Sequence, residues 1–550
     1  MNLRFLLFLS VLAGSALAQV TPQRILNADQ EPHNWLTYSG GYASQRHSKL
    51  AQITPANAKD LELKWVFQAR WLDYYQATPL VVDGIMYTTQ GNDVLALDAT
   101  TGKMFWIFRY TPGQGNPCCG RITRGLAIHG DTLFLATLDA HLIAIDARSG
   151  RRLWESVVAK FASGYSMTLA PLVVKDKVIV GTAGGERGIR GYIVAYDVKT
   201  GAEAWKFYTV PGPGETGSET WAGDSWKRGG GSIWVTGSYD PEENLTYWGV
   251  GNPGPDHNGE VRPGDNLYTC SVVALDPDTG KLKWHYQFMP HDEFDWDAVQ
   301  VAVLAEIPWK GQQRKVMLWA NRNGFFYVLD RKTGEFLRAT PIAKQNWNAG
   351  FDEKGRPIRA ADAMPSREGV LIYPGNQGAT NWFNPSYSPR TGLFYVNVWE
   401  NTATVFARGD QEYVEGQNYS ARGQVDKAAY VSRTVGAGMR AVQQPNLRME
   451  EENYGTVRAF DPQTGKWKWE YKMTDVTDAG ILTTASDVLF TGGREGYFFA
   501  LDARSGSLLW KIQLGGPIQN GPMTYSVNGK QYVAVSASNS LFVFGLREGR

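Results

Sequence analysis

The chain has 550 residues and a formal net charge of +1, from 55 basic and 54 acidic side chains. With neither a basic stripe nor an acidic tail, a nucleic-acid binder and a charge-driven interaction tail are excluded. Sixty glycines, 20 tryptophans and 13% aromatics, with little helical periodicity, favour many short strands separated by turns.

The first element is "MNLRFLLFLSVLAGSALAQ". A single basic residue, Arg4, precedes an apolar run from Phe5 to Leu12, and Ala16-Leu17-Ala18 has the small-residue pattern of a cleavage site. Residues 1–18 are expected to be a secretory signal peptide, with residues 19–550 forming one exported domain in the periplasm. An uncleaved anchor is the other reading, but the run is short of the roughly 20 apolar residues that cross a bilayer. No later stretch is long or apolar enough to span a membrane.

Next comes "NPCCGRITRG", Asn116 to Gly125, which sets two of the three cysteines side by side. A bond between Cys118 and Cys119 closes a strained ring and removes almost no unfolded-chain entropy, so stability does not explain the pair.

One phrase then recurs along the chain. "ALDATTGKMFW" ends at Trp106, "AIDARSGRRLW" at Trp154, "AYDVKTGAEAW" at Trp205, "ALDPDTGKLKW" at Trp284, "AFDPQTGKWKW" at Trp469 and "ALDARSGSLLW" at Trp510. "VLDRKTGEFL" from Val328 lacks the Trp, and "LELKW", ending at Trp65, is a final half-phrase whose beginning lies elsewhere. Alternating apolar residues make a strand, and Asp-x-x-Thr/Ser-Gly makes a tight turn with a positive φ at the glycine. Trp65 and Trp106 are 41 residues apart, as are Trp469 and Trp510. A period of about 40–50 residues with four strands per unit is that of a β-propeller. Two stretches break the period: the interval from Trp205 to Trp284, and a region from about Asn346 to Asn453 in which Asn401–Arg448 is a candidate lid. Insertions of this size carry function.

Such blades also build inert scaffolds, so the repeat does not decide function. The insertions do. "TWAGDSWKRGGGSIWVTGSYDPEENLTYWGVGNPGPDHNGEVRPGDNLYT", with "CCGRITRG", "GTAGGE" and "PHDEFDWD", resembles the quinoprotein alcohol dehydrogenases, periplasmic enzymes that use pyrroloquinoline quinone (PQQ). The resemblance covers about Gln23 to Leu546 and implies an all-β, eight-bladed propeller with the cofactor on its pseudo-symmetry axis. It also implies that Cys118 and Cys119 form a disulfide lying against one face of the quinone, with Trp234 on the other. Arg124 matches the partner of a PQQ carboxylate, a natural place for a bidentate guanidinium. Thr168, Ser232 and Asn381 match polar cofactor contacts, and Ala183, Gly184 and Gly185 fall with them. Cys270 is left as a free core residue. No Cys-x-x-Cys-His is present to hold a c-type haem.

For the metal, Glu186 and Asn252 match ligands, and Asp295 matches the catalytic carboxylate beside it; oxygen ligands suit a hard cation. Asp295 is expected to accept the alcohol's proton while hydride passes to PQQ, with Arg322 stabilising charge on the quinone oxygen. Asp297 shares a face with Asp295 on an extended segment. Calcium-dependent members generally have a small uncharged residue there, and lanthanide-dependent members an Asp, so a lanthanide is favoured over Ca²⁺. Asp297 is expected at the solvent edge, where it adds little to stability; pairing with an arginine is its other reading. Two departures stand out: Gln76 where the family often has Glu, and Asp478 where it has Trp. Primary alcohols are the expected substrates and a soluble cytochrome c the expected electron acceptor; the resemblance allows a homodimer. The competing readings are a non-catalytic envelope scaffold and a dehydrogenase of sugars or polyols.

Overall fold

The computed structural model describes residues 19–115, 117, 120–424 and 453–547. The expected signal peptide, the Cys118–Cys119 pair and residues 425–448 of the candidate lid lie outside the described residues.

Eight antiparallel sheets of four strands are arranged as the blades of a propeller. The first blade runs Leu80–Val82, Ile85–Gln90, Asp93–Asp98 and Met104–Phe108, in spatial as in sequence order. Six more blades follow, and the eighth is closed by the two ends of the chain. There Leu61–Gln68, which carries "LELKW", pairs with Ser540–Leu546 at the outer edge of Met523–Val527 and Lys530–Ala537. The half-phrase thus finds its beginning at the C-terminus. His47–Ser48 adds a short parallel strand to the seventh blade, against Leu482–Thr484.

The repeated phrase makes the outer hairpin of a blade. In the first blade the Asp98 carboxylate accepts the N–H groups of Thr100 at 2.7 Å and Thr101 at 3.0 Å, which closes the turn. The glycine of that turn does more than supply a positive φ. Gly150 has φ +72°, and a Cβ there would lie 2.6 Å from the ring of Trp106, the last phrase residue of the preceding blade. Trp106 also donates its indole N–H to the Ala147 carbonyl at 3.1 Å. The same Trp-on-turn packing joins Trp65 to Gly102, Trp154 to Gly201, Trp205 to Gly280, Trp284 to Gly334 and Trp469 to Gly506. Six of the eight blades therefore dock a Trp on the turn of the next. At Gly465 the preceding blade lacks the Trp, and Thr340 fills the place.

Between blades the buried faces form continuous apolar clusters, and first strands of neighbouring blades touch around the axis. This topology positions the site. Segments leading into the first strands carry Gln76, Arg124, Thr168, Ser232, Trp234, Asp295, Asp297 and Asn381. Turns after second strands carry Glu186, Asn252 and Arg322. Of the candidate lid, the described part between Arg408 and Gly423 lies over the Glu186 turn. The Tyr419 N–H donates to the Glu186 carbonyl at 2.6 Å, and Arg187 Nη1 to the Gly416 carbonyl at 2.9 Å.

Candidate functional site

A cavity of about 210 Å³ opens where these segments converge, lined by Gln76, Arg124, Thr168, Ala183, Gly184, Glu186, Trp234, Asp295, Asp297, Arg322 and Asn381. All were expected from the sequence. Ile122, Gln377 and Trp382 line it as well and were not expected. Gly185, Ser232 and Asn252 stand directly behind: a Cβ at Gly185 would meet Ser232 Oγ at 3.1 Å and Asn252 Oδ1 at 3.8 Å.

One end of the cavity is cationic and aromatic. Arg124 is buried and donates from Nη1 to Thr168 Oγ1 at 2.8 Å and to the Trp234 carbonyl at 3.3 Å. Its guanidinium lies over two indole rings, Trp234 at 4.8 Å and Trp382 at 4.7 Å, an arrangement that suits a planar cation. The Gln76 side-chain oxygen is buried without a hydrogen-bond partner among the described residues. Asn381 donates to the Gln377 carbonyl at 2.8 Å.

The other end concentrates negative charge. Asp295 adopts φ +60°, a left-handed conformation uncommon for a non-glycine residue and often associated with functional sites. Arg322 Nη1 donates to Asp297 Oδ2 at 2.5 Å, while Nη2 donates to the Asn376 carbonyl at 2.5 Å and stands 3.7 Å from Asp295 Oδ2. Asp297 Oδ1 accepts the Asn252 N–H at 2.9 Å. Gly251 makes this approach possible, since a Cβ there would lie 2.5 Å from Asp297 Oδ1. Asp297 is only 4% exposed, which corrects its expected place at the solvent edge. The arginine pairing is the reading that holds for its Oδ2; Oδ1 is turned to the Asn252 backbone.

Sequence reasoning missed Asp256, buried beside this group and accepting from Asn252 Nδ2 at 2.9 Å. Burial raises the Asp295 carboxyl well above the usual carboxylate range; Arg322 opposes the shift, and Asp256, Asp297 and Glu186 add to it. Burial, with repulsion from Glu186 and Asp297, raises Asp256 in the same way. Burial works against the charge of Arg322, but Asp295 and Asp297 raise its pKa overall. Among the described residues no three acidic, His or Cys side chains converge as a finished metal cage. What the chain supplies is a carboxylate-rich end whose mutual repulsion a cation would relieve, with Asp297 shared with Arg322.

These features fit a planar, anionic quinone with a hard cation. Arg124 and Arg322 supply positive charge for its negative groups, Trp234 offers a flat wall, and the Gln76 side-chain oxygen and Arg322 Nε are buried polar atoms without hydrogen-bond partners among the described residues. Asp478 does not line the cavity. It is held by Arg494 at 2.8 Å and by Gln519 at 3.1 Å, and Arg494 lies over the Trp399 ring. Cys270 is free and buried, as expected.

The family model for the β-propeller domain of PQQ-dependent glucose, ethanol and alcohol dehydrogenases matches residues 35–350 and 357–533. The chain is 38% identical to the quinoprotein alcohol dehydrogenase PedH of Pseudomonas putida, over 96% of this chain and 89% of that protein. It is 34% identical to a lanthanide-dependent methanol dehydrogenase of Methylacidiphilum fumariolicum, over 95% of this chain and 88% of the relative. Among solved structures it is similar to the quinohemoprotein alcohol dehydrogenase ADHIIG of Pseudomonas putida, with a TM-score of 0.88 and 34% identity over 98% of this chain and 84% of that one. A europium-containing methanol dehydrogenase gives a TM-score of 0.86 and 32% identity, over 95% of this chain and all of the other.

Proposed function

The chain belongs to the PQQ-dependent alcohol dehydrogenase family and is an oxidoreductase of that kind, and from that premise we propose that it oxidises primary alcohols to aldehydes in the periplasm. PQQ and one lanthanide ion are its cofactors, and a soluble cytochrome c takes the electrons. The observation that carries this reading is the two-ended cavity, with Arg124, Thr168 and Trp234 at one side and Glu186, Asp256, Asp295 and Asp297 around the other.

Arg124 and Thr168 would hold PQQ through a carboxylate, and Trp234 and a Cys118–Cys119 disulfide would pack on its ring system. Gln76, Ser232, Asn381 and the Ala183–Gly185 backbone complete the polar contacts. Glu186, Asn252, Asp295 and Asp297 would hold the metal. When bound, PQQ supplies the hydride acceptor and the metal a Lewis acid. Asp295 accepts the alcohol's hydroxyl proton on its carboxylate. Arg322, fixed by Asp297 and Asn376, places a positive charge beside Asp295, from where it would stabilise negative charge gained by the hydride acceptor. The Tyr413–Ala421 segment, over the Glu186 turn, keeps water from this end.

Support for a trivalent ion comes from the number of buried carboxylates, since each favours +3 over +2, and from the lanthanide- and europium-containing relatives. The test is dye reduction by the full chain reconstituted with PQQ and metal, across a panel of primary alcohols and aldoses. Turnover with primary alcohols is expected; activity with aldoses alone overturns the substrate class.

A further inference from the structure

Asp256, a buried carboxylate at the metal end of the cavity, sits behind a proposed ligand, Asn252. Asn252 is held at three points. Its N–H donates to Asp297, its carbonyl accepts from the Gly231 N–H at 2.9 Å, and its side chain is the third: Nδ2 donates to Asp256 Oδ1 at 2.9 Å and, over a longer 3.3 Å, to the Pro253 carbonyl. The nitrogen of the Asn252 amide thus faces Asp256 and the Pro253 carbonyl, and its oxygen faces away. That oxygen accepts no hydrogen bond from the described residues and is aimed at the Gly185–Glu186 turn, 3.8 Å from where a Gly185 Cβ would stand. Asp256 is itself buried, and its one hydrogen bond among the described residues is the one from Asn252. Nearby Arg262 gives its protons elsewhere, to Pro255, Asn266 and Asp292.

We propose that Asp256 is a positioning residue of the metal site: its carboxylate fixes the Asn252 carboxamide with Oδ1 presented to the cation, and adds buried negative charge that favours a trivalent ion. The proposal rests on the metal reading above and extends it by one residue. The two parts separate by substitution. Asp256→Asn keeps an acceptor for Asn252 Nδ2 and removes the charge. Asp256→Ala removes both and leaves only the longer bond to the Pro253 carbonyl, too weak to keep the Asn252 amide on the ion, so that a water takes its place.

The experiment titrates Eu³⁺, and separately Ca²⁺, into metal-free full-length chain with PQQ present, following Eu³⁺ luminescence and, for Ca²⁺, calorimetric heat. Far-UV circular dichroism checks that each variant is folded. Asp256→Asn is expected to weaken Eu³⁺ at least about tenfold, equivalent to about 1.4 kcal/mol, and Ca²⁺ less. For Asp256→Ala, Eu³⁺ lifetimes in H₂O and D₂O are expected to report about one more metal-bound water, because these ions fill open positions with water. Loss of a merely structural residue would not change that hydration count. If the parent binds Eu³⁺ and Asp256→Asn binds it within about twofold of the parent, the charge role is overturned; a parental lifetime in Asp256→Ala overturns the positioning role. A parent that does not bind Eu³⁺ overturns the metal reading itself, and this proposal with it.

Discussion

Replacing Asp297 by Ala is expected to destabilise the metal-free protein by about 3 kcal/mol. The aspartate is buried, with one oxygen 2.5 Å from Arg322 Nη1 and the other accepting the Asn252 N–H at 2.9 Å. Truncating one member of a buried ion pair costs about 3–5 kcal/mol, because the partner's charge is left uncompensated. Arg322 keeps its bond to the Asn376 carbonyl and its approach to Asp295 Oδ2 at 3.7 Å, which places the cost at the lower end of that range. The assay is urea denaturation of parent and variant without metal. The double variant Asp297→Ala/Arg322→Met removes both charges, and should recover part of the loss. An Asp297→Ala variant within about 0.5 kcal/mol of the parent, the range of an ordinary surface substitution, would refute the buried pairing.

Gly150→Ala should cost about 3 kcal/mol by urea denaturation, combining the left-handed backbone with the clash against Trp106. Gly529→Ala, at φ +74° but in open space, should cost only about 1–2 kcal/mol, since it has the backbone term alone; equal losses would remove the Trp-on-turn account. Burial holds the His47 imidazole down at about 4, below its usual value, and its Nδ1 meets Thr483 Oγ1 at 2.9 Å. Because the unfolded state binds its proton first, stability is lost as pH falls from about 6.5 towards 4, by at most about 3 kcal/mol. His47→Gln should flatten that part of the stability profile, and an unchanged slope in the variant would show that His47 does not contribute it. Alkylation of exported, denatured protein should find one thiol before reduction, Cys270, and three after; three before reduction would exclude a Cys118–Cys119 disulfide.

The blades were legible because their signal is local. An Asp, a Gly and a Trp at fixed spacing write out a hairpin, and "LELKW" without its first half already requires a partner strand elsewhere. What the Trp rests on was not legible, because the Gly it covers lies in the next blade, a contact between different repeats. The cavity residues were reached through motif resemblance, and the fold then explains why they meet: they occupy corresponding positions before first strands and after second strands. Asp297 and Asp256 show where such reasoning ends. Whether a carboxylate faces water, an arginine or an amide depends on loops from different blades meeting on the axis. Nothing within "HDEFDWD" or "NPGPDHNG" encodes that meeting.

The central claim is that this carboxylate-rich cavity works with PQQ and a trivalent ion. Metal-free protein reconstituted with PQQ and either La³⁺ or Ca²⁺, assayed by dye reduction dependent on a primary alcohol, tests it most directly. The account predicts turnover with La³⁺ well above that with Ca²⁺. Full activity with Ca²⁺ and none with La³⁺ would contradict it.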